Sequence, residues 1–320
     1  MRPFRSLAGV ALALVLLLSS CASSGTSLEP GAGSRPPSAT ASPAAFPVTI
    51  TDDDGVAVTV EAPPRRIVTF APSATEIVYA LGLGDRLVGV SGPFDDYPQA
   101  ATRVEEIGGA GEFGVDPNIE KVVSLSPDLF LTISGGDQWK HRLRGLGVPV
   151  FTIDATDFAD LLHDIETVGR LTGTADRAAA LASSMQGEAD RIGSRVAGSA
   201  PVSCFFEVYY PPLTTVGPDT FISDLLRRAG CDSVSASAST DYPEWSVDDL
   251  VREDPQVYLV SSESGVSPAA VAERPGFEAI RAVAEGRVAL IDSDLVSRPG
   301  PRIVDGLRAL AKALHPDAFG

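Results

Sequence analysis

The chain has few of the residues that do chemistry in enzymes and metalloproteins. Its three histidines, His141, His163 and His315, are scattered over predicted helices without the spacing of a metal site. There is no GxSxG, HExxH or GxxxxGK[ST] motif, and no histidine lies beside a candidate serine or cysteine nucleophile. We therefore predict that the protein is not an enzyme and holds neither a metal nor another cofactor.

Positive charge is also scarce. The chain carries 25 Lys and Arg against 42 Asp and Glu, a formal net charge of −17 at pH 7. Such a surface repels a phosphate backbone, which excludes nucleic acid as a partner. Beyond residue 20 no apolar run is long enough to span a bilayer, so a transport role would need separate membrane subunits.

The start of the chain predicts where the protein resides. Residues 1–20 combine the basic start MRPFR, a short apolar run and LSS before Cys21, which is the pattern of a lipoprotein signal peptide. Cys21 would be the lipidated first residue, held at the outer face of a bacterial cell membrane; an uncleaved membrane anchor is the alternative. Residues 21–45 are rich in Ser, Gly, Pro and Ala and predict a flexible tether, so folding should begin near Phe46.

Only two cysteines remain once Cys21 is committed to lipid. Cys204 lies in a predicted strand and Cys231 follows a predicted helix. An exported protein can join such a pair as a disulfide, and two buried free thiols are the alternative.

A run of three aspartates, Asp52 to Asp54, precedes Gly55 and resembles the start of a calcium loop. No glutamate follows at the distance that such a loop requires. The flanking sequences VTIT and VAVTV instead predict a β-hairpin whose turn contains the aspartates.

One stretch of sequence occurs in two versions. Residues 118–134 read NIEKVVSLSPDLFLTIS and residues 246–262 read SVDDLVREDPQVYLVSS, and both predict a short helix, a turn and an apolar strand. When the two prolines are aligned, an acid stands seven residues before each, Glu120 in the first copy and Asp248 in the second. A helix dipole favours acids in the first turn, so convergence is the alternative to a shared role.

Flanking segments extend this repetition. A strand at 67–70 leads into a helix whose start, Ser73 to Glu76, fits a capping box, and a strand at 202–208 is followed by a helix at 221–228. The same order of elements on both sides of a central helical segment predicts a two-lobed α/β chain.

The lobes are expected to cover residues 46–165 and 199–320, with a connecting helix at 166–198. Within the helical segment, one helix should end at Gly173 and the next should be capped by Thr174. A helical link is stiffer than extended crossover strands, so large domain closure is disfavoured.

Five segments, taken together, carry a family resemblance. They are FPVTITDDDGVAVTVEAPPRRIVTFAPSATEIVYALG, NIEKVVSLSPDLFL, DTFISDLLRRAG, YPEWSVDDLVREDPQVYLV and RPGPRIVDGLRALA. Over about residues 46–320 the chain resembles the substrate-binding proteins of ABC importers that have a helical backbone between two lobes, which serve cobalamin, ferric siderophores, haem and some metals. The resemblance implies an α/β fold of two Rossmann-like lobes joined by a long rigid helix. It also implies a monomer that delivers a large ligand to a permease dimer with its ATPase subunits.

The resemblance assigns a role to the repeated acids. In these importers one acid on each lobe docks onto arginines of the two permease subunits. Glu120 and Asp248 stand at the matching positions, and Asp249 is an alternative to Asp248.

The ligand is expected between the lobes, at the carboxyl ends of the strands, where aromatic rings and a few polar groups converge. Phe94, Tyr242, Asp294 and Arg298 fall where cobalamin-binding members of the family have ligand-contacting residues. The full set of predicted ligand contacts is Ser73, Phe94, Ser134, Tyr209, Tyr210, Tyr242, Trp245, Asp294 and Arg298.

Cobalamin is the predicted ligand. An anionic siderophore would prefer a cleft rich in arginine, and only Arg298 and Arg302 are expected there. One alternative is that the protein binds a ferric siderophore or haem, as other members of the same family do. A further alternative is that it is a lipid-anchored sensor without a transport role.

Overall fold

The computed structural model describes residues 46–109 and 115–320; the predicted signal peptide, Cys21 and the tether lie outside them. Two mostly parallel sheets alternate with helices, which confirms the predicted α/β class. None of the helices in these residues is long and apolar enough to cross a membrane. The strands are β1 Val48–Thr51, β2 Ala57–Val60, β3 Ile67–Phe70, β4 Leu87–Gly89, β5 Leu129–Thr132, β6 Val150–Thr152, β7 Val202–Tyr209, β8 Thr214–Thr215, β9 Cys231–Ser233, β10 Val257–Ser261 and β11 Val288–Ile291. The helices are α1 Pro72–Ala80, α2 Ile119–Ser124, α3 Asp137–Gly145, α4 Phe158–Thr172, α5 Ala175–Val196, α6 Phe221–Arg228, α7 Val247–Glu253, α8 Pro268–Ala272, α9 Arg281–Ala284, α10 Asp294–Ser297 and α11 Ile303–Leu314.

The aspartates between β1 and β2 form a hairpin turn, as predicted. The two strands pair antiparallel, and the Asp52 carboxylate accepts a hydrogen bond from the Val56 amide at 2.7 Å. Asp54 accepts a bond of 2.8 Å from Nζ of Lys140, which is fully buried in α3. The turn is therefore attached by its own carboxylates to the first sheet and its helices.

The first sheet has the order β4-β3-β5-β6 with every neighbouring pair parallel. All four residues of β5 are buried, as expected of a central strand covered by helices on both faces. Because the strands are parallel, the loops that follow β3, β5 and β6 leave from one edge of the sheet.

The second sheet has the order β11-β10-β7-β8, with β9 also pairing with β7. All of these pairs are parallel except that between β7 and the two-residue β8. Cys204 in β7 and Cys231 at the start of β9 have Cα atoms 5.8 Å apart, and the structure joins them as a disulfide. The bond therefore ties an edge strand to the strand beside it.

The repeated stretch is repeated in backbone detail as well as in sequence. Ser126 and Asp254, the residues before the aligned prolines, are the two non-glycine residues with positive φ in the described part of the chain, at 48° and 46°. The side chain of the residue after each proline accepts hydrogen bonds from backbone amides at the start of a neighbouring strand. Asp128 accepts bonds of 2.8 Å from the amides of residues 65 and 66, and Gln256 accepts one of 3.0 Å from the Ser203 amide. The two sheets therefore contain the same helix–turn–strand unit.

Two helices connect the sheets. α4 is preceded by its N-cap Asp157, whose carboxylate accepts bonds from two backbone amides, and is followed by Gly173 in the left-handed conformation. The predicted connecting segment, 166–198, thus contains the end of α4 and all of α5. Thr174 makes no side-chain cap to α5, contrary to the expectation, because its hydroxyl bonds to that of Thr172 at 2.8 Å.

α4 and α5 pack closely against each other, and the two sheets share one hydrophobic core. A Cβ at Gly169 of α4 would lie 2.3 Å from that of Ala178 in α5, so the crossing needs glycine there. One continuous hydrophobic cluster joins residues of both sheets with α1, α4, α5 and α11, and a smaller cluster fills the outer face of each sheet. Separating the sheets would expose this shared core, which favours a fixed arrangement.

Candidate ligand-binding site

A cavity of about 450 Å³ opens between the two sheets, at the carboxyl ends of their strands. Loops that follow β3, β5 and β6 contribute one side, and loops near α6 and α10 contribute the other. Parallel strands place their following loops at one edge, which is where open α/β sheets bind ligands. The lining residues are Ala71, Pro72, Ser73, Ile133, Ser134, Ile153, Asp154, Ala155, Thr156, Asp164, Asp219, Thr220, Phe221, Asp241, Tyr242, Ser297, Arg298 and Pro299.

Six of the nine predicted ligand contacts lie at this cavity or next to it. Ser73, Ser134, Tyr242 and Arg298 line it. Phe94 and Asp294 join the same region through Arg298, which donates to the Phe94 carbonyl at 3.1 Å and pairs with Asp294 at 2.7 Å.

The other three predicted contacts do not line the cavity. Tyr210 packs against Phe277 with ring centroids 5.8 Å apart, and Trp245 packs against Phe205 at 6.4 Å, both in the outer cluster of the second sheet. Tyr209 is half exposed and is likewise absent from the lining. Their assignment as ligand contacts stays a prediction of the sequence alone.

The rim of the cavity presents exposed apolar side chains. Phe94 is 71% exposed, Tyr242 57% and Ile133 44%. Large apolar side chains exposed around a concavity are typical of a surface that a ligand covers. Burial and the nearby carboxylates of Asp241 and Glu263 raise the pKa of the Tyr242 phenol, so this ring carries a protonated hydroxyl at neutral pH.

Two paired arginines lie near one another in the chain at this cavity: Arg298 is a lining residue, and Arg302, four residues further along, is not. Arg298 contacts Asp96 at 3.0 Å and Asp294 at 2.7 Å. Arg302 donates two hydrogen bonds, of 2.6 and 3.0 Å, to the carboxylate of Glu76, which is buried in α1. We call this the arginine wall. Each of its guanidinium groups is already neutralised by the protein.

The contact with Arg302 corrects the predicted capping box. α1 begins two residues earlier than expected, with Ala71 as the N-cap and Pro72 in the first turn, where proline is well tolerated. Ser73 and Glu76 therefore lie inside the helix and are buried. Burial raises the pKa of Glu76, against the opposing effect of the Arg302 guanidinium.

The opposite side is acidic, and we call it the aspartate wall. It comprises Asp154 after β6 and Asp164 of α4, which line the cavity, and Asp53 of the hairpin turn and Asp160 of α4, which lie near Asp164 and are not lining residues. Asp53 accepts a bond of 2.6 Å from the Asp154 amide, which brings the hairpin to the cavity. No lysine, arginine or histidine forms an ion pair with these four carboxyl groups within residues 46–109 and 115–320.

Asp164 is the buried member of the aspartate wall. Its side chain is 5% exposed, and burial, followed by the negative charges of Asp53, Asp160 and Asp154, raises its pKa to about 8. This residue was missed from the sequence, although a signal was available. An acid stands on the apolar stripe of α4 next to Ile165, one turn after Leu161.

The described residues do not assemble a metal site. No group of three or more His, Cys, Asp or Glu side chains in the described part of the chain has an arrangement that could hold a metal ion. The histidines are not among the residues that line the cavity.

The two repeated acids occupy equivalent places away from the cavity. Glu120 and Asp248 are exposed second residues of α2 and α7, whose N-caps Asn118 and Ser246 accept equivalent backbone bonds. Neither acid has an ion-pair partner among the residues that the structure describes. Asp249, by contrast, is held by the Ser246 hydroxyl at 2.6 Å and by Arg252 at 2.5 Å.

The chain belongs to the periplasmic binding protein family, whose model matches residues 67–295. It is an extracytoplasmic substrate-binding protein of the kind that works with ABC importers.

Individual relatives agree in fold and class. The chain is 35% identical to the uncharacterized ABC transporter substrate-binding lipoprotein YvrC of Bacillus subtilis, over 86% of this chain and 87% of that protein. It is 34% identical to a cobalamin-binding protein of Halobacterium salinarum, over 84% and 74%. The crystal structure of the periplasmic vitamin B12 binding protein BtuF of Vibrio cholerae superimposes with a TM-score of 0.69 and 25% identity, over 80% of this chain and 98% of that one.

Proposed function

We propose that the protein binds cobalamin in the cavity between its two sheets and delivers it unchanged to an ABC importer. The observation that carries the proposal is the charge of the cavity. Both arginines are neutralised by carboxylates, and the opposite wall is acidic. Cobalamin presents neutral amide side chains and a single phosphodiester, so it meets less repulsion there than a ligand that carries several carboxylates. The cobalamin-binding relatives support the same ligand.

The same features disfavour the other ligands of the family. Siderophores with net negative charge and haem with its propionates would need a free guanidinium, and bringing like charges together is costly. Haem iron is commonly held by histidine or tyrosine. Among the residues that the structure describes, Tyr242 is the only tyrosine or histidine that lines the cavity, and its raised pKa opposes ionisation to a phenolate.

A direct binding experiment tests the ligand. The purified protein is incubated with cyanocobalamin, haemin or an anionic ferric siderophore, desalted, and examined by absorption spectroscopy. We expect cyanocobalamin to be retained at about one equivalent, as a single site requires, and the other two to be removed. Retention of haemin or siderophore instead of cyanocobalamin would overturn the assignment.

Glu120 and Asp248 are proposed to dock the protein on the permease dimer. Both are exposed, and both occupy the same place in the repeated helix, one in each half of the chain. The contacts of Asp249 with Ser246 and Arg252 support Asp248 as the acid of the second half, because Asp249 is already engaged.

Uptake in cells tests the docking role. Glu120→Arg and Asp248→Arg should each reduce uptake of labelled cobalamin, because they place a positive charge opposite the proposed arginines. Binding by the purified variants should persist, since neither acid lines the cavity. Asp249→Arg is the matched control and should reduce uptake less. Normal uptake by the Glu120/Asp248 double variant would contradict the docking role.

The protein is proposed to be anchored by lipid on Cys21 at the outer face of the cell membrane. The lipoprotein pattern before Cys21 and the lipoprotein relative support this location. Replacing Cys21 with Ala should move the protein from the membrane fraction to the soluble fraction while cobalamin binding continues. Retention in the membrane fraction would contradict the lipid anchor.

A further inference from the structure

Both terminal nitrogens of the Arg298 guanidinium group contact the protein's own oxygen atoms. One terminal nitrogen contacts Asp96 at 3.0 Å and donates to the Phe94 carbonyl at 3.1 Å, and the other contacts Asp294 at 2.7 Å. Only 15% of the Arg298 side chain is exposed. A residue that lines the cavity and could recognise an anion is therefore already occupied.

The two carboxylates on Arg298 differ in origin. Asp294 stands four residues before Arg298 and holds its side chain locally. Asp96 comes from a loop 202 residues away and is 55% exposed. Within the described residues, the contact with Arg298 is the one hydrogen bond or ion pair that the Asp96 side chain makes.

The loop that carries Asp96 is anchored by a different residue. Asp95 is 2% exposed and accepts hydrogen bonds from the hydroxyls of Thr75 and Ser91 and, at 3.1 Å, from the Gly92 amide. Asp96 is not needed for these bonds. Its carboxylate can therefore be removed while the loop keeps its anchor.

We propose that Asp96 is a specificity-determining residue that occupies the place of a ligand carboxylate on Arg298 and so excludes anionic ligands. The proposal rests on the proposed binding function and extends it to selectivity. Arginine recognises carboxylates through two parallel N–H groups, which makes a free guanidinium an anion site. With two aspartates bound, the cluster carries net negative charge, and an approaching carboxylate meets repulsion. Such a repulsive element produces specificity without a new contact to the favoured ligand.

The geometry also predicts what remains after Asp96 is removed. Arg298 would keep its contacts with Asp294 and the Phe94 carbonyl, so its position at the cavity would be retained. The donor that now contacts Asp96 would become available to a ligand carboxylate. Loss of Asp96 should thus create anion binding rather than merely weaken a fold contact.

The experiment compares Asp96→Ala with Asp241→Ala. Asp241 lines the same cavity and carries the same charge, but it makes no contact with Arg298, so its variant measures the effect of charge alone. The probes are haemin, which carries propionates, and cyanocobalamin, titrated at low and high salt with melting temperatures as a check of folding. We expect Asp96→Ala to raise the haemin-to-cyanocobalamin affinity ratio about tenfold or more, which corresponds to one charge-assisted contact. Asp241→Ala should raise it by about threefold or less.

A double variant and a change of salt concentration test whether the gain in haemin affinity depends on Arg298. Adding Arg298→Gln to Asp96→Ala should abolish the gain, and high salt should reduce it. The inference is overturned if Asp96→Ala gives no more gain than Asp241→Ala, or if the gain survives without Arg298. Failure of the wild-type protein to bind cyanocobalamin would instead refute the proposed ligand. In that case the change in haemin affinity among the variants still decides the role of Asp96.

Discussion

The two walls of the cavity accommodate charge in opposite ways. On the arginine wall, Arg298 and Arg302 each meet a carboxylate within 3.0 Å. On the aspartate wall, Asp164 lies beside Asp53 and Asp154 with no basic partner in the described residues. The first wall keeps its charges and pairs them, whereas the second keeps a proton on Asp164. The arginine wall stabilises its buried charges by ion pairs, and the aspartate wall does so by protonation of Asp164. Neither wall offers a ligand an unpaired arginine or lysine.

The largest effect is expected from breaking the arginine wall. Arg302→Ala would leave Glu76 buried without its partner, which should lower the free energy of unfolding by about 3–5 kcal/mol. It also removes the stacking of Arg302 on the Tyr97 ring, whose centroid is 4.0 Å away. Because burial raises the pKa of Glu76, the loss should be smaller at acid pH, where this carboxyl can protonate. Urea denaturation at two pH values measures both effects.

Arg308→Ala is the matched control for this variant. Like Arg302, Arg308 forms ion pairs with carboxylates. Its partners are Glu188 and Asp305, but its side chain is 38% exposed. Exposed pairs contribute about 0–1 kcal/mol, so the control should be nearly neutral. Equal losses for Arg302→Ala and Arg308→Ala would contradict the assigned role of the buried pair.

The second prediction concerns the aspartate wall and pH. With a pKa of about 8 against a reference of 3.8, Asp164 binds a proton in the folded state that it does not bind when unfolded. The free energy of unfolding should therefore fall as pH rises from about 4 to about 8. Asp164→Asn keeps a neutral group of similar shape at every pH, and should stabilise the protein at pH 8 by on the order of 4–5 kcal/mol relative to its effect at pH 4.

The charged groups around Asp164 define the control. Asp53, Asp154 and Asp160 face it, while Asp224 of the adjacent α6 is paired with Arg227 and Arg228. Asp160→Asn removes an exposed charge from the same wall and should change the pH dependence much less. If Asp164→Asn leaves the slope of stability against pH unchanged, burial does not keep this carboxyl protonated.

The smallest effect is expected at the aromatic rim, which belongs to neither wall. Tyr242→Ala and Phe94→Ala should each weaken cobalamin binding by about 1–3 kcal/mol, as loss of a contacting ring typically does. Their stability should change little, because both side chains are more than half exposed. Isothermal titration calorimetry and thermal melting separate the two quantities. Tyr209→Ala is the control, since that exposed ring does not line the cavity, and an equal loss of affinity there would place the ligand elsewhere.

Much of the fold could be predicted because its signals are local. The apolar runs at β5 and β10, the glycine at the end of α4 and the aspartates of the hairpin turn each follow from periodicity or turn chemistry. The errors came from interpreting local patterns without the tertiary contacts that compete with them. Ser73 and Glu76 fit a capping box, but Pro72 starts the helix earlier and Glu76 is drawn to Arg302.

The site was less predictable than the fold. Tyr242 and Arg298 were predicted because the family resemblance marks their positions, and both line the cavity. Tyr210 and Trp245 were expected beside them because aromatic residues in loops are typical of binding sites. Their rings pack in the outer cluster of the second sheet, which depends on how those loops fold back on the strands, and their role as ligand contacts stays a prediction.

The sequence by itself determined the classes of element, their order, the repetition of one unit in both halves and the membership of a family, because these depend on patterns within about 20 consecutive residues. Only the tertiary structure decided which charges meet. Glu76 and Arg302 are 226 residues apart, and Asp96 and Arg298 are 202 apart. No periodic pattern specifies such pairs, since any acid can neutralise any base and the choice depends on the packing that brings them together. The neutralised arginines and the protonated aspartate that shape the cavity are therefore properties of the folded chain.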